Sequence, residues 1–169
     1  MKFSEFAKGF EMIILNTNVV YETMRLEPDA SVLAWLDAQA AETLYLTSIT
    51  FAELLIGVAS LSDEKQKSRL TAAIDGLIGL YAERVLPFDT DAARHYSMSI
   101  VTAGQNGSVL PTPERCIAAI AAAHGYIIAS RDAEVFESVG IKVINPWAWE
   151  RGGTLAFFKE RRKTTDGYY

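Results

Sequence analysis

Met12-Ile13-Ile14-Leu15-Asn16-Thr17-Asn18-Val19-Val20 is an apolar run that stops in three small polar residues before helix-like sequence resumes. Four consecutive large apolar side chains without alternation suit a strand covered on both faces, as in a parallel sheet. The stretch reads as a buried strand that delivers Asn16, Thr17 and Asn18 to its carboxyl end. Taken alone, the same three residues also suit a helix N-cap, because Asn and Thr satisfy orphan backbone N–H groups well. The two readings separate only if other parts of the chain send polar groups to the same place.

Downstream, Ser31 to Gln39 carries Val32, Trp35 and Leu36 on one face and reads as a helix entered through the Glu27-Pro28-Asp29 turn. Leu44-Tyr45-Leu46 is a second strand. Thr50-Phe51-Ala52-Glu53 has capping-box spacing, and an apolar helix through Leu54, Leu55 and Val58 is expected from it, ending near Leu61. Asp63 to Tyr81 is a more polar helix with Leu70, Ile74, Leu77 and Ile78 facing inward. Val85-Leu86 is a short strand, and Asp89 caps a helix running towards Asn106. Thr112 as N-cap with Pro113 at the first helical position restarts the chain, and His124-Gly125 stops that helix. Tyr126 to Ala129 makes another strand, Asp132 to Glu137 a short helix, and Val143-Ile144 a last strand before Asn145-Pro146-Trp147. Strands alternating with helices imply an α/β fold with a largely parallel sheet.

A chain of 169 residues with 50% hydrophobic content can bury one substantial core, so a single domain is expected over residues 12–147. An N-terminal extension, 1–11, precedes it with Phe3, Phe6 and Phe10 at helical spacing. A tail, 148–169, follows and mixes Trp149, Leu155, Phe157 and Phe158 with basic residues. The single cysteine, Cys116, excludes an intramolecular disulfide and a cysteine metal cluster and fits a reducing cytosol. No apolar run approaches the roughly 18 residues of a membrane span, so a soluble cytoplasmic protein is expected. A net charge of −5 argues against gripping nucleic acid through bulk electrostatics, which leaves local or metal-assisted contact. Positive charge gathers at Lys65, Lys67 and Arg69 and again at Lys159, Arg161, Arg162 and Lys163, groupings that ordinarily mark solvated faces.

Four polar groups recur at comparable places, read as strand-to-helix junctions. Asn16 follows the first strand, Glu53 lies just inside the helix after the second, Glu114 is in the first turn of a later helix, and Asp132 follows a later apolar strand. In an open parallel sheet such junctions share one edge, where ligands bind. Each also has a structural explanation: a cap for Asn16 and Asp132, a capping-box partner for Glu53, a first-turn acid favoured by the helix dipole for Glu114. Three carboxylates converging on one edge repel one another unless a cation lies between them. An oxygen-only donor set suits Mg²⁺ or Mn²⁺ over Zn²⁺, and a metal-bound water attacks a phosphodiester readily. His95 falls inside a helix and His124 at a helix end, and no phosphate-cradling glycine loop or nucleophile elbow is present.

From Met12 to Trp147 the chain resembles the PIN-domain ribonucleases, and within them the VapC-type toxins of toxin–antitoxin and plasmid-stability modules. The likeness rests on Thr17-Asn18-Val19-Val20 with Glu22, Leu44-Tyr45-Leu46-Thr47 with Ala52-Glu53-Leu54, and Leu86-Pro87-Phe88-Asp89. It continues in Ile117-Ala118-Ala119-Ile120-Ala121 before His124-Gly125, in Ser130-Arg131-Asp132, and in Ile144-Asn145-Pro146-Trp147. The resemblance implies a three-layer α/β/α domain and an acidic pocket that binds Mg²⁺ or Mn²⁺ and cuts RNA. It further implies a homodimer and silencing by a cognate antitoxin protein. The implied metal and catalytic residues are Asn16, Glu53, Glu114 and Asp132, with Glu22 and Arg131 as candidates for water or phosphate contact. The family pattern has an Asp at each of the positions held here by Asn16 and Glu114. An amide offers one neutral oxygen where a carboxylate offers charge, and the extra methylene of Glu114 shifts its carboxylate by up to about 1.5 Å. An attenuated nuclease is therefore expected, the alternative being a disabled PIN-fold protein that binds antitoxin or RNA without cleaving.

Overall fold

Ile13–Leu15 forms β1, and all three of its residues are buried. The strand lies at the centre of a five-stranded sheet with β2 (Leu44–Thr47), β3 (Val85–Leu86), β4 (Ile127–Ala129) and β5 (Val143–Ile144), in the order β3-β2-β1-β4-β5. Every neighbouring pair is parallel. This computed structural model describes residues 11–106 and 111–150. The phenylalanines expected on a helical turn before residue 11, and the aromatic and basic groups after residue 150, lie outside the described residues.

The helices among the described residues are α1 (Thr17–Thr23), α2 (Ala30–Asp37), α3 (Ser48–Ala59), α4 (Glu64–Leu80), α5 (Thr90–Asn106), α6 (Thr112–His124) and α7 (Ala133–Glu137). Side chains alternate across a strand, and β1 uses both faces. Ile13 and Leu15 pack with Val19, Trp35, Leu54 and Ile74, from α1 to α4. Ile14 joins Ile128, Ala92, Ile117, Ile120 and Phe136, from β4 and α5 to α7. The result is three layers, helix on sheet on helix. Strands of two to four residues supply few ladder bonds, each worth about 1 kcal/mol net. A buried Leu, Ile or Phe contributes about 1.5–3 kcal/mol, so side-chain burial holds the layers more than the ladder does. No described helix is long and apolar enough to cross a membrane.

From β1 the connections step outward through β2 to β3, whereas β4 connects to β5 on the other side. The strand order therefore reverses between β1 and β4, where open parallel sheets form their binding crevice. The register sets Leu15 opposite Ala129, and Asn16 N–H donates to the Ala129 carbonyl at 3.0 Å. Asn16 and Ser130 thus leave the sheet side by side.

Several local expectations are corrected. The N-cap of α3 is Thr47 and not Thr50: the Thr47 hydroxyl accepts from Thr50 N–H at 3.0 Å and lies 3.0 Å from the Thr50 hydroxyl. The helix starts earlier than the capping-box spacing suggests, because Thr47 ends β2 already extended. Helix α6 includes Thr112, with Pro111 in the cap position and no side-chain cap. Ile78 of α4 is exposed, while Leu70 and Ile74 one turn apart carry the buried face. Glu114 does not follow a strand, since α6 is preceded by α5. It reaches the carboxyl edge of the sheet because α6 turns through Gly125 directly into β4 and so runs antiparallel to it.

Candidate functional site

The four residues singled out by sequence share one cleft. Asn16, Thr17 and Asn18 come from the end of β1 and the start of α1, Glu53 from α3, Glu114 from α6 and Asp132 from the turn between β4 and α7, around a cavity of about 290 Å³. The capping explanations for three of them fail. Asn16 and Asp132 occupy N-cap positions, but neither side chain makes a capping bond. Glu53 has no capping role because α3 is capped by Thr47.

The side chains are engaged with one another instead. The Thr17 hydroxyl donates to Glu53 Oε2. Asn18 Nδ2 donates to Asp132 Oδ2 at 3.1 Å and to Ser130 Oγ at 3.2 Å, and Asn16 Nδ2 donates to Ser130 Oγ at 3.0 Å. Glu114 Oε2 and Asn18 Oδ1 are buried without a hydrogen-bond partner. Burial pushes the Glu53 carboxyl above its usual range, the Thr17 hydroxyl pulls it back, and the neighbouring Glu114 charge raises it again. Burial thus outweighs carboxylate repulsion here.

An orphaned carboxylate oxygen beside a second, partly desolvated carboxylate is a receptor for positive charge. Among the described residues, no three His, Cys, Asp or Glu side chains form a group close enough to hold an ion by themselves. Mg²⁺ keeps several waters and needs only one or two carboxylates from a protein. Glu53 and Glu114 fit that description, with Asn16 and Asp132 on the same cleft.

Glu22 is not brought to the site. It is buried, pairs with Arg25 at 3.2 Å and accepts from Asp29 N–H at 2.9 Å, so it pins the turn between α1 and α2. The Arg131 guanidinium stacks over the Trp147 ring at 5.2 Å. His95 lies half-buried along α5, and His124 sits exposed at the end of α6 with its ring 5.3 Å from that of Tyr126. Sequence reasoning gives Thr17, Asn18 and Ser130 no individual role. The available signal is the Ser-x-Asp spacing at a strand end, which favours a hydroxyl-to-backbone turn; here Asp132 N–H donates to Ser130 Oγ at 3.1 Å.

A second concavity, of about 960 Å³, adjoins the first between the end of α1 and α4. Tyr21 and Met24 line both. Leu26 and Leu70 supply apolar surface, and Arg25, Lys65 and Arg69 supply charge. Arg69 also donates to the Met24 carbonyl at 2.9 Å, tying α4 to the end of α1.

Residues 13–142 match the model of the PIN domain. The chain is 45% identical over 137 residues to the VapC ribonuclease Y4jK of Sinorhizobium fredii, covering 80% of this chain and 98% of that protein. It is 39% identical over 137 residues to the toxin FitB of Neisseria gonorrhoeae, covering 80% and 99%. Among solved structures it resembles that of FitAcB from Neisseria gonorrhoeae, with a TM-score of 0.78 and 38% identity over 82% of this chain and all of the other.

Proposed function

The chain belongs to the PIN-domain family, in its VapC toxin branch, and from that premise we propose that it is the endoribonuclease of a toxin–antitoxin pair. It would act on RNA in the cytoplasm with Mg²⁺ or Mn²⁺, as a homodimer, and with attenuated activity. The observation that carries the nuclease reading is the meeting of Glu53 and Glu114, whose Oε2 is buried without a partner, on one cleft with Asn16 and Asp132.

Of the four cleft residues Asn16, Glu53, Glu114 and Asp132, Glu53 and Glu114 would hold the cation, and Asn16 and Asp132 would reach it through its retained waters. When bound, the ion supplies charge neutralisation at a phosphodiester and a more acidic water. The chain's own contribution is positioning. The Thr17 hydroxyl holds the Glu53 carboxylate, and the Asn18 amide steers Asp132. Asn16 contributes a neutral oxygen, and a neutral donor attracts the cation less than a carboxylate does. In an RNA cleavage assay with Mn²⁺, Asn16→Asp is expected to raise the rate about tenfold, which corresponds to about 1.4 kcal/mol of transition-state stabilisation. Glu53→Gln in that background is expected to abolish the gain. If the repaired protein stays inert towards RNA with both metals while folded by circular dichroism, the nuclease reading fails. Asn16 itself favours the second reading, a PIN-fold protein that binds antitoxin or RNA without cleaving.

The antitoxin partner is supported by the continuity of groove and cleft through Tyr21 and Met24. A peptide along the groove would reach the carboxylates with a basic side chain, and guanidinium matches carboxylate geometry bidentately. Replacing Glu53, Glu114 and Asp132 together by Ala is expected to weaken a complex with the neighbouring gene product. Unchanged affinity would rule the cleft out as the anchor for that charge.

A further inference from the structure

We propose that Arg131, held against the ring of Trp147, is the phosphate-binding residue on the rim of the cleft and grips the backbone of a single-stranded RNA beside the acidic residues. RNA as the ligand of the cleft is carried over from the proposed function, and the contact is the same whether the strand is cut or only bound. Arg131 leaves the sheet between Ser130, which meets Asn16 and Asn18, and Asp132 on the cleft. Its side chain is exposed, and the guanidinium carbon lies 5.2 Å from the centre of the Trp147 ring, within cation–π range. Strand β5 runs parallel to β4, so the Pro146–Ala148 turn that carries Trp147 stands at the same carboxyl edge as the cleft. Trp147 is itself fixed. Its backbone N–H donates to Asn145 Oδ1 at 3.0 Å, and its side chain packs against the core of the α1 to α4 face.

Stacking engages the face of a guanidinium and leaves its edge, with N–H donors in one plane, open to an acceptor. No carboxylate takes that edge. Among the described residues the Arg131 guanidinium makes no ion pair and no hydrogen bond, and the adjacent Asp132 accepts from Asn18 instead. The arginines of the adjoining groove are by contrast engaged, Arg25 with Glu22 and Arg69 with the Met24 carbonyl. The chain has a net charge of −5, and the cleft gathers Glu53, Glu114 and Asp132 in one place. A polyanion approaching it is repelled unless a fixed cation stands on the rim. A guanidinium matches a phosphate bidentately, and one already held by a ring loses little freedom on binding. A lysine at this position would supply the charge without the planar fork.

The test is the binding of a fluorescein-labelled single-stranded RNA, followed by anisotropy across a potassium chloride series in metal-free buffer, where cleavage does not interfere. Arg131→Ala is expected to weaken binding about tenfold at low salt and to reduce the slope of log K against log salt by about 0.7, the share of one phosphate contact on a single strand. Arg131→Lys is expected to restore the slope and only part of the affinity. Trp147→Leu keeps the charge but removes the stack, so a loss of about threefold with an unchanged slope is expected. If Trp147→Leu does not fold, Trp147→Phe carries the comparison with a smaller loss. An Arg131→Ala protein that loses affinity with its slope unchanged assigns position 131 a structural role and overturns the phosphate contact. Affinity and slope both unchanged, while the wild type binds, overturn it as well. Failure of the wild type to bind the strand, with or without Mg²⁺, overturns it together with both RNA readings. A slope reduced by Arg131→Ala in a protein that cuts nothing with Mn²⁺ supports Arg131 and refutes the nuclease reading alone.

Discussion

Glu53 carries the most informative single charge in the cleft. Its carboxyl is held above the ordinary value of 4.5, so the folded chain binds that proton more tightly than the unfolded one. Stability is therefore lost as pH rises from the unfolded value through the folded one, with the full penalty above that window and none below it. Glu53→Gln is expected to raise the urea midpoint at pH 7 and flatten this loss, while leaving stability at pH 4 nearly unchanged. The gain is small, below about 1 kcal/mol, because the group is half solvated and screened. A variant equally pH-dependent would mean that another group carries the effect. Glu114 belongs to the same scale. If its extra methylene misplaces a ligand, Glu114→Asp added to Asn16→Asp should change the Mn²⁺-dependent rate by other than the product of the single effects, because both act on one site. A product relation within a factor of two would assign the two residues to separate sites.

At the scale of elements, the turns that aim the site do so through backbone chemistry. Gly125 ends α6 at φ 69°, in the left-handed region, and an added Cβ there would meet no atom within 4 Å. Gly125→Ala should therefore cost about 1 kcal/mol from backbone strain alone, measured by denaturant unfolding; a neutral result would show that the turn adapts. Thr47→Ala removes the α3 cap and the bond to Thr50, and about 1–2 kcal/mol is expected. The strands were readable because doubly covered strands must be apolar throughout, as Ile13 to Leu15 and Ile127 to Ala129 are. Helix starts were less readable where two threonines compete to cap, and Thr47 won over Thr50 because it already ended a strand. Asn16, Glu53, Glu114 and Asp132 could be placed from local pattern and family likeness. Ser130 could not, since its role depends on the register of β1 against β4, which no local window contains.

For the whole molecule, exposed apolar side chains occur on several helices, among them Ile100 and Val101 together on α5. Surface of this kind commonly marks an interface, and it supports the proposed dimer. Ile100→Glu with Val101→Glu should convert a dimer seen by sedimentation at micromolar concentration into a monomer of unchanged circular dichroism. A wild-type monomer at every concentration would refute the assembly. The reversal of strand order has one more outcome, which concerns synthesis. Asn16 and Ser130 are 114 positions apart, yet one hydrogen bond joins them. A chain leaving the ribosome N-terminus first exposes Asn16, Thr17 and Glu53 long before β4 exists, and until then β1 is an open edge with no crevice beside it. A nascent chain that has not yet reached Asp132 therefore has no pocket, and a fragment ending before it cannot assemble one. The topology thus postpones the crevice until β4 has joined β1.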